Sequence, residues 1–381
     1  MQGIRISKVE GDSDRLDFIR FPWKVYRGDR YWVPPLISER KEFTDPLKSP
    51  FFEHAHADFF TARRNGEIIG TIGAFSNQLY NEFQGVNACW FGFFEVLEDP
   101  EVAAALLRTA EDWARQQGHD HLLGPAQYST NDEIGLLVDG FDDVPRILMT
   151  YNPRRYQGYL EGGGYQKAMD LWAYSVDVRD LVQNMPEKIT RVTEKIRKRW
   201  NLTLRPVEMK HFDRDVGHIK RLYNASWERN WGFVPMTDRE LDHMAKSLKP
   251  LVDPDLAVMV EKDGEVVGFG IALPDLNQPL HDAYPRPGTP EPLTMLKFLW
   301  NWKVLKRVDW IRAWALGVLP EYRGQGFDSL MYLELARASV RKGYKWAEMS
   351  WILENNTMVN RAIALLGGKV YKTYRVYQKQ L

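Results

Sequence analysis

A short segment near residue 320 combines a proline, an arginine and two glycines, residue types that can together hold an anion. It reads VLPEYRGQGFDSL (318–330) and continues the apolar run IRAWALGVL. Pro320 ends a strand because proline cannot donate a ladder hydrogen bond, and Gly324 and Gly326 allow backbone conformations closed to other residues. A helix follows, so free N–H groups and the positive end of a helix dipole meet here. With Arg323 added, the segment predicts a phosphate-binding loop.

An acidic residue, Asp328, stands at the start of that helix. A carboxylate ~6 Å from a phosphate charge, at an effective dielectric near 20, costs roughly 3 kcal/mol, on the order of 100-fold in affinity. Asp328 can instead cap a helix that begins at Ser329. Both interpretations stay open at this point.

The loop lies in the second of two similar halves. Residues 65–75 read NGEIIGTIGAF and residues 263–273 read DGEVVGFGIAL, each a tight turn followed by a glycine-spaced strand. Similar pairs recur in order about 200 residues apart, which indicates an internal duplication. Each half predicts the order β–α–α–β–β–β–α–β–α–β, a mixed α/β sheet covered by helices. We place the domains at residues 1–185 and 186–381.

The two halves differ in the segments that surround this plan. The first half has FFEVLEDPEVAAA in place of the glycine loop, and an acidic segment without glycine cannot hold a phosphate. The second half contains an added segment, residues 276–308, which begins as a proline-rich loop. Its second part predicts an apolar helix, either a lid or a contact between domains.

Composition limits the class of protein. The chain has 381 residues, with 51 Lys plus Arg and 51 Asp plus Glu. Such a balance argues against a dedicated nucleic-acid or membrane binder, so neither partner is expected. The one basic stretch, KITRVTEKIRKRW, predicts the solvated face of a helix.

Cysteine, histidine and the apolar runs add further expectations. Cys89 is the single cysteine, predicted to be a core thiol in a reducing compartment. With no apolar signal segment and no run as long as a membrane span, we expect a cytoplasmic protein. His54 and His56 have metal-compatible spacing, but no further ligand cluster follows them, so no metal is expected.

The glycine loop resembles the signature V-x-P-x-x-R/Q-G/R-x-G-x-G/A of the GNAT superfamily, acyl-CoA-dependent N-acyltransferases. The matching residues are Val318, Pro320, Arg323, Gly324 and Gly326. Downstream, Asn356, Leu366 and Gly367 resemble the family's second region, an Asn before a helix that ends in Leu-Gly. The resemblance covers residues 200–381 by sequence and the first half by fold only. It implies two tandem GNAT-like domains, of which the N-terminal copy is degenerate.

The resemblance also implies a co-substrate, acetyl-CoA or another acyl-CoA. Backbone amides around Leu316 and Val318 would hold the pantetheine arm and polarise the thioester. The implied coenzyme-binding residues are Leu316, Val318, Arg323, Gly324, Gln325, Gly326, Phe327 and Asn356. An amine acceptor, a small molecule or a peptide, would enter between the halves. Candidate acceptor-binding residues are Asn131, Asp132, Trp231 and Phe233.

The catalytic groups are less clearly marked by sequence. Many family members carry a tyrosine on the last helix as general acid, and the corresponding position here is Ile363. Tyr374 is a candidate replacement, although alternating tyrosines also line sheet faces. Glu354 is the candidate general base, with a surface or capping role as the alternative.

Three functions follow from this sequence. The leading hypothesis is an acyl-CoA-dependent N-acyltransferase, most simply an N-acetyltransferase, in which the amine attacks the thioester directly. A non-catalytic GNAT-like binding module is the alternative favoured by Asp328 and Ile363. Aminoacyl transfer from charged tRNA is the third, and the neutral charge weighs against it.

Overall fold

The computed structural model of the chain describes residues 3–185 and 187–381. Position 186, where the second predicted domain begins, lies outside the described residues. Within them the chain forms thirteen strands and fourteen helices. The strands are β1 (Arg5–Lys8), β2 (Ala55–Arg64), β3 (Glu67–Asn77), β4 (Ala88–Val96), β5 (His121–Gly124), β6 (Leu136–Asp139), β7 (Gln166–Asp177), β8 (Leu202–Pro206), β9 (Ala257–Lys262), β10 (Glu265–Pro274), β11 (Trp310–Val318), β12 (Trp346–Leu353) and β13 (Lys369–Gln380). The helices are α1 (Gly11–Arg20), α2 (Pro22–Val25), α3 (Ile37–Phe43), α4 (Gln78–Gln84), α5 (Pro100–Gln116), α6 (Arg155–Gly162), α7 (Val178–Gln183), α8 (Glu187–Arg199), α9 (Phe212–Trp227), α10 (Asp238–Leu248), α11 (Asn277–Ala283), α12 (Glu291–Leu299), α13 (Phe327–Arg341) and α14 (Thr357–Leu365).

These strands form one continuous mixed sheet, in the order β1-β2-β3-β4-β5-β13-β7-β12-β11-β10-β9-β8, with β6 paired alongside β13. The last strand of each half lies in the other half's part of the sheet. Strand β13 pairs antiparallel with β5, and β7 pairs antiparallel with β12. The prediction of two tandem mixed α/β units is confirmed, and the units are joined by exchanged strands. The division at residue 185 stays a prediction, because the sheet runs across it.

The two repeated turns take the conformation that their sequences require. Asn65 and Gly66 have φ of 54° and 83°, and Asp263 and Gly264 have φ of 50° and 87°. Positive φ at both central residues is typical of the type I′ turn, which matches the twist of a hairpin. The turns therefore fix the register of β2 with β3 and of β9 with β10.

Glycines inside β3 and β10 allow the main helix of each half to pack closely. A Cβ at Gly70 would lie 2.7 Å from Leu106 of α5, and one at Gly270 would lie 3.3 Å from Leu335 of α13. Helices α5 and α13 bury an apolar stripe against the sheet in this way. The two helices thus occupy equivalent places in the two halves.

Apolar side chains fill both faces of the sheet, and the cores of the two halves overlap. Tyr374 and Val376 of β13 and Val234 of the second half pack with Phe75 and Tyr128 of the first half. None of the described helices combines the length and the apolar composition needed to cross a bilayer.

A buried ion pair ties the second half to a loop of the first. Arg312 of β11 and Glu348 of β12 are opposite each other and almost fully buried, with Nε and Oε1 3.7 Å apart. The Arg312 guanidinium also donates to the carbonyls of Ile147 and Leu148 at 2.9 and 3.0 Å. Glu348 accepts from the Ser350 hydroxyl at 2.8 Å. Arg312 is therefore a cross-link between the halves as well as a partner for a buried charge.

We expect Arg312→Met to lower the free energy of unfolding by about 3–5 kcal/mol, because it leaves Glu348 buried without its cation. Arg341→Met is the matched control. Arg341 is 62% exposed and lies 3.2 Å from Glu334, and an exposed pair of this kind contributes about 1 kcal/mol or less. Urea unfolding followed by tryptophan fluorescence measures both. Equal losses in the two variants would contradict the cross-link.

Candidate active site

The glycine loop joins β11 to α13 as the sequence predicts. After Val318 the chain makes a 3-10 turn over Pro320–Tyr322, and Gly324 and Gly326 then take φ of 71° and 84°. Helix α13 begins at Phe327 with Gly326 as its N-cap, and no described side chain caps it. The N–H groups of the first turn are therefore directed out of the helix end without a side-chain partner.

The interpretation of Asp328 as a helix cap is wrong. The helix begins at Phe327, so Asp328 is its second residue and Ser329 its third. A carboxylate in the first turn still interacts favourably with the helix dipole. Together with burial, which is the larger cause, Asp328 raises the pKa of Tyr332 one turn later. The negative charge of Asp328 thus lies in the first turn of α13, where the helix dipole stabilises it.

The side chain of Arg323 holds the loop against the end of α9. Its guanidinium donates to the carbonyl oxygens of Ala225 and Ser226 at 2.5 and 3.2 Å. These carbonyls belong to the last turn of α9, where a cation is favoured by the helix dipole. Arg323 therefore fixes the loop to α9.

Strand β11 has an open edge next to this loop. It pairs with β10 along its length, with a bulge at Trp314. On its other side it pairs in parallel with β12 only as far as Ala313 and Met349. Beyond that point the strands separate, and no described strand pairs with Leu316–Val318 on that side. We call this opening the second-half gap.

The corresponding opening in the first half is filled by its own chain. Strands β4 and β5 pair in parallel only over Ala88–Trp90. Beyond Trp90, the Ala126 N–H donates to the Phe91 carbonyl at 2.9 Å. The backbone of Ala126 lies so close to β4 that a Cβ at Gly92 would be 1.7 Å from the Ala126 oxygen. The helix that follows β4 is capped by Asp99 and has no glycine loop. The two halves therefore share a fold, and within the described residues only the second half has an open strand edge beside a glycine loop.

The structure brings the predicted acceptor-binding residues together. Asn131 donates to the carbonyl of Val234 at 3.0 Å and accepts from the Tyr223 hydroxyl at 3.3 Å. Trp231 packs against the first-half core, and Phe233 is buried against Phe83. We call this surface, residues 129–133 against residues 223–237, the seam.

Helix α9 connects the seam to the second-half gap. A Cβ at Gly317 would lie 2.5 Å from the Ser226 hydroxyl, so α9 touches β11 there. Tyr223, which contacts Asn131, lies three residues earlier on the same helix face, about one turn or 5 Å away. The open strand edge and the seam are thus neighbours.

Asp132 has the most unusual electrostatics at the seam. Burial raises its pKa to about 7, against the opposing effect of the Ser129 hydroxyl, which donates to it at 2.9 Å. The negative charge of Glu240 raises the pKa further. Glu240 itself is 2.9 Å from the His54 ring nitrogen. A carboxyl group that titrates near neutral pH is suited to general acid or base work.

Glu354 and Asn356 already have partners within the chain. Glu354 lies 2.8 Å from the Lys167 ammonium and accepts from the Asp170 N–H at 3.2 Å. Asn356 caps α14 by accepting from the Val359 N–H at 3.3 Å. Both roles assigned from the sequence, base and coenzyme ligand, stay predictions.

Two buried donors lie where β11 and β12 separate. The Tyr374 hydroxyl and the Trp351 Nε1 have no hydrogen-bond partner among the described residues. Their rings are 6.2 Å apart, and Arg312 lies 4.8 Å over the Trp351 ring. Burial raises the pKa of Tyr374 well above its usual value, so its hydroxyl keeps its proton. Ile363, at the position where many family members carry a tyrosine, is likewise fully buried.

Comparison with known proteins agrees with this geometry. A sequence profile of the acetyltransferase (GNAT) family matches residues 217–364. The chain is 35% identical over 384 residues to a Caulobacter vibrioides protein named bacterial ceramide synthase, covering 99% of this chain and 98% of the relative. The chain belongs to the GNAT acyltransferase family. Protein YghO of Escherichia coli K12 is 33% identical over 373 residues, covering 97% of this chain and 93% of that protein.

A solved structure extends the likeness to both halves of this GNAT protein. A tandem GNAT protein from the clavulanic acid biosynthesis pathway superposes with a TM-score of 0.56, over 99% of this chain and 98% of its own. The two are 12% identical, so the likeness concerns the fold alone. It confirms the tandem GNAT fold.

Sequence reasoning missed several residues that shape this site. Tyr223 and Ser226 of α9 and Trp351 of β12 were assigned no role, although their contacts define the gap and the seam. The helical spacing of Tyr223 and Ser226 was a usable signal. Trp351 offered none, because its position depends on where β11 and β12 separate.

We expect Gly317→Ala to lower the free energy of unfolding by about 1–3 kcal/mol, because the added methyl overlaps Ser226 and Phe269. Gly217→Ala, on α9 with open space around it, is the matched control and should be neutral or slightly stabilising. Ser226→Gly in the Gly317→Ala background should recover part of the loss. Thermal unfolding of the four proteins tests the contact. No difference between the two alanine variants would contradict it.

The raised pKa of Asp132 predicts a pH-dependent stability. An aspartate in the unfolded chain titrates near 4. The stability that protonated Asp132 contributes to the folded protein is therefore fully present below about pH 4, and it is lost as the pH rises through about 7. We expect the difference in unfolding free energy between Asp132→Asn and the native protein to shift by about 2 kcal/mol in favour of the variant when the pH is raised from 5 to 8. Denaturant unfolding at the two pH values measures the gain. Asp142→Asn, at an 81% exposed site, should show none, and a gain as large there would refute the assignment.

Proposed function

We propose that this protein is an acyl-CoA-dependent N-acyltransferase whose acceptor is the amine of a long-chain lipid base. The observation that carries the acyltransferase proposal is the open edge of β11 beside the glycine loop. A strand edge with unpaired amides can hold an amide-rich arm, and a helix end can hold phosphates. The filled first-half gap supports a single site per chain.

The acceptor class is supported by the relative named bacterial ceramide synthase, which matches nearly the whole chain. A ceramide is an N-acylated long-chain amino alcohol, so forming one from an acyl thioester is acyl transfer to an amine. We propose the same class of reaction here, with a long-chain acyl-CoA as the co-substrate among the acyl-CoAs, acetyl-CoA included, that the sequence resemblance implies.

The chemistry can be assigned to residues at the gap and the seam. The amine nitrogen attacks the thioester carbonyl, a C–N bond forms and the C–S bond breaks. We propose Asp132, with a pKa of about 7, as the group that accepts the proton lost by the amine, in place of Glu354, whose carboxylate already pairs with Lys167. Tyr374, a buried hydroxyl without a described partner, stabilises the departing thiolate by donating a hydrogen bond to its sulfur, and the thiolate takes up its proton from solvent. Backbone amides of Leu316–Val318 stabilise the oxyanion.

The test is release of coenzyme A thiol from acetyl-CoA or palmitoyl-CoA with three acceptors: sphinganine, spermidine and a lysine peptide. We expect the pair of sphinganine and palmitoyl-CoA to exceed every other pair by at least about tenfold in kcat/KM, since a matched lipid adds apolar burial. Product mass confirms an amide. Release with acetyl-CoA and a polar amine alone would favour the small-amine acetyltransferase instead.

Tyr374→Phe serves as the catalytic control within the same experiment. It removes only a buried hydroxyl without a described partner, so stability should be unchanged or raised, while kcat falls. Isothermal titration with palmitoyl-CoA separates loss of binding from loss of turnover. Binding without turnover for every acceptor would favour the non-catalytic binding module.

A further inference from the structure

The added segment of the second half presents a helix with its apolar side outward. The segment over residues 291–305 is helix α12 followed by a π-helical turn, Trp300–Val304. Its solvent-facing apolar residues are Leu293 at 58% exposed, Leu296 at 65%, Leu299 at 42%, Trp300 at 57%, Val304 at 55% and Leu305 at 44%. They account for six of the fifteen large apolar side chains recorded as exposed in the described chain. We call these six residues the apolar face.

The helix is fixed in this orientation by its other side. Thr294, Phe298 and Asn301 are buried against the protein. At its start, Glu291 accepts from the Ser38 N–H at 3.1 Å and from the Ser38 hydroxyl. The helix is therefore packed on both halves while the apolar face points away from them. A contiguous apolar surface of this kind, exposed to water, is typical of a site that binds another molecule or a membrane.

Basic side chains flank the apolar face. Lys297, Lys303 and Lys306 form no salt bridge with any described carboxylate. Arg307 is paired with Asp282 at 2.8 Å. The acidic residue of the helix itself, Glu291, is already held by Ser38. The outward surface thus combines leucines and a tryptophan with three lysines, and the carboxylate of Glu291 is turned to Ser38 at the start of the helix.

We propose that the apolar face lies in the surface of an anionic lipid bilayer, with Trp300 at the level of the headgroups and the lysines against lipid phosphates. A short amphipathic helix of this composition lies in the plane of a membrane and does not cross it. From residue 291 to 304 it spans about 20 Å, long enough to lie along the interface and too short to span it. Lysine near an anionic surface adds attraction that salt weakens.

This surface is distinct from the proposed active site. Helix α12 leads through residues 306–309 to the amino end of β11 at Trp310, while the glycine loop follows its carboxyl end at Val318, about 25 Å further on. A cavity of about 560 Å³ lies beside the amino end, lined in part by Lys306, Arg307 and Trp310. Bilayer binding departs from the expectation, drawn from net charge, that the protein has no membrane partner.

The test is flotation of the full chain with phosphatidylglycerol–phosphatidylcholine vesicles and with pure phosphatidylcholine vesicles. We expect binding to the anionic vesicles that falls at least about fivefold in Leu296→Glu/Trp300→Glu. Lys297→Glu/Lys303→Glu should lose binding to anionic vesicles at low salt. Leu365→Glu, at an 82% exposed position on α14, is the matched control and should bind like the native protein.

Three results would overturn the proposal. If the native chain does not float, or if Leu365→Glu loses as much binding as Leu296→Glu/Trp300→Glu, the apolar face is not the membrane contact. If sedimentation shows a dimer that Leu296→Glu/Trp300→Glu dissociates while vesicle binding is unchanged, the face is covered by a second copy. Circular dichroism and the thermal midpoint show that the variants fold. Acyl transfer from palmitoyl-CoA to sphinganine in detergent micelles, measured without vesicles, separates this result from the proposed function.

Discussion

The exchange of terminal strands is the constraint on which the rest of this structure depends. Strand β5 of the first half is completed by β13, and β12 of the second half is completed by β7. Each half needs a strand from the other half to complete its part of the sheet. The relative position of the halves is therefore set by ladder hydrogen bonds. The buried pair of Arg312 and Glu348 and the overlapping cores add to the same fixed arrangement.

The seam and the second-half gap follow from that arrangement. Because the sheet is continuous, residues 129–133 of the first half lie against α9 and the loop after it, at hydrogen-bond distance. The same loop region of the first half fills its own gap, where Ala126 meets Phe91. One segment thus closes the first opening and provides a wall beside the second. A duplicated fold with one open gap is the natural result, because the two copies no longer have independent surroundings.

Much of the fold could be predicted from local sequence. The turns at Asn65-Gly66 and Asp263-Gly264, the proline and glycines after β11 and the glycine ends of helices each specify backbone shape on their own. The site could be predicted where it depends on such local shape, as in the loop at Gly324 and Gly326. The start of α13 was misplaced by two residues because Gly326, in the left-handed conformation, caps the helix where an aspartate was expected.

What the sequence left out depends on pairing between distant segments. Nothing near Glu354 indicates that Lys167 will lie 2.8 Å away, and nothing near Asp132 indicates the charge of Glu240. The exchange of β7 and β13 was equally invisible, since antiparallel pairing of either strand with either neighbour satisfies the same alternation of side chains. The outward apolar face of α12 could be read as a lid or a contact between domains only because its buried side was unknown.

Strand exchange also has a consequence for how the chain is made. Tyr377 pairs with Gly124, so the partner of β5 is synthesised about 250 residues after it. At ribosomal rates this leaves the edge of β5 unpaired for a time on the order of tens of seconds. Until then the first half carries an unpaired strand edge and an incomplete core that lacks Tyr374 and Val376. Such an edge is a template for wrong pairing between nascent chains. The topology that makes the finished protein a single unit therefore delays the completion of its first half until the last strand has been synthesised.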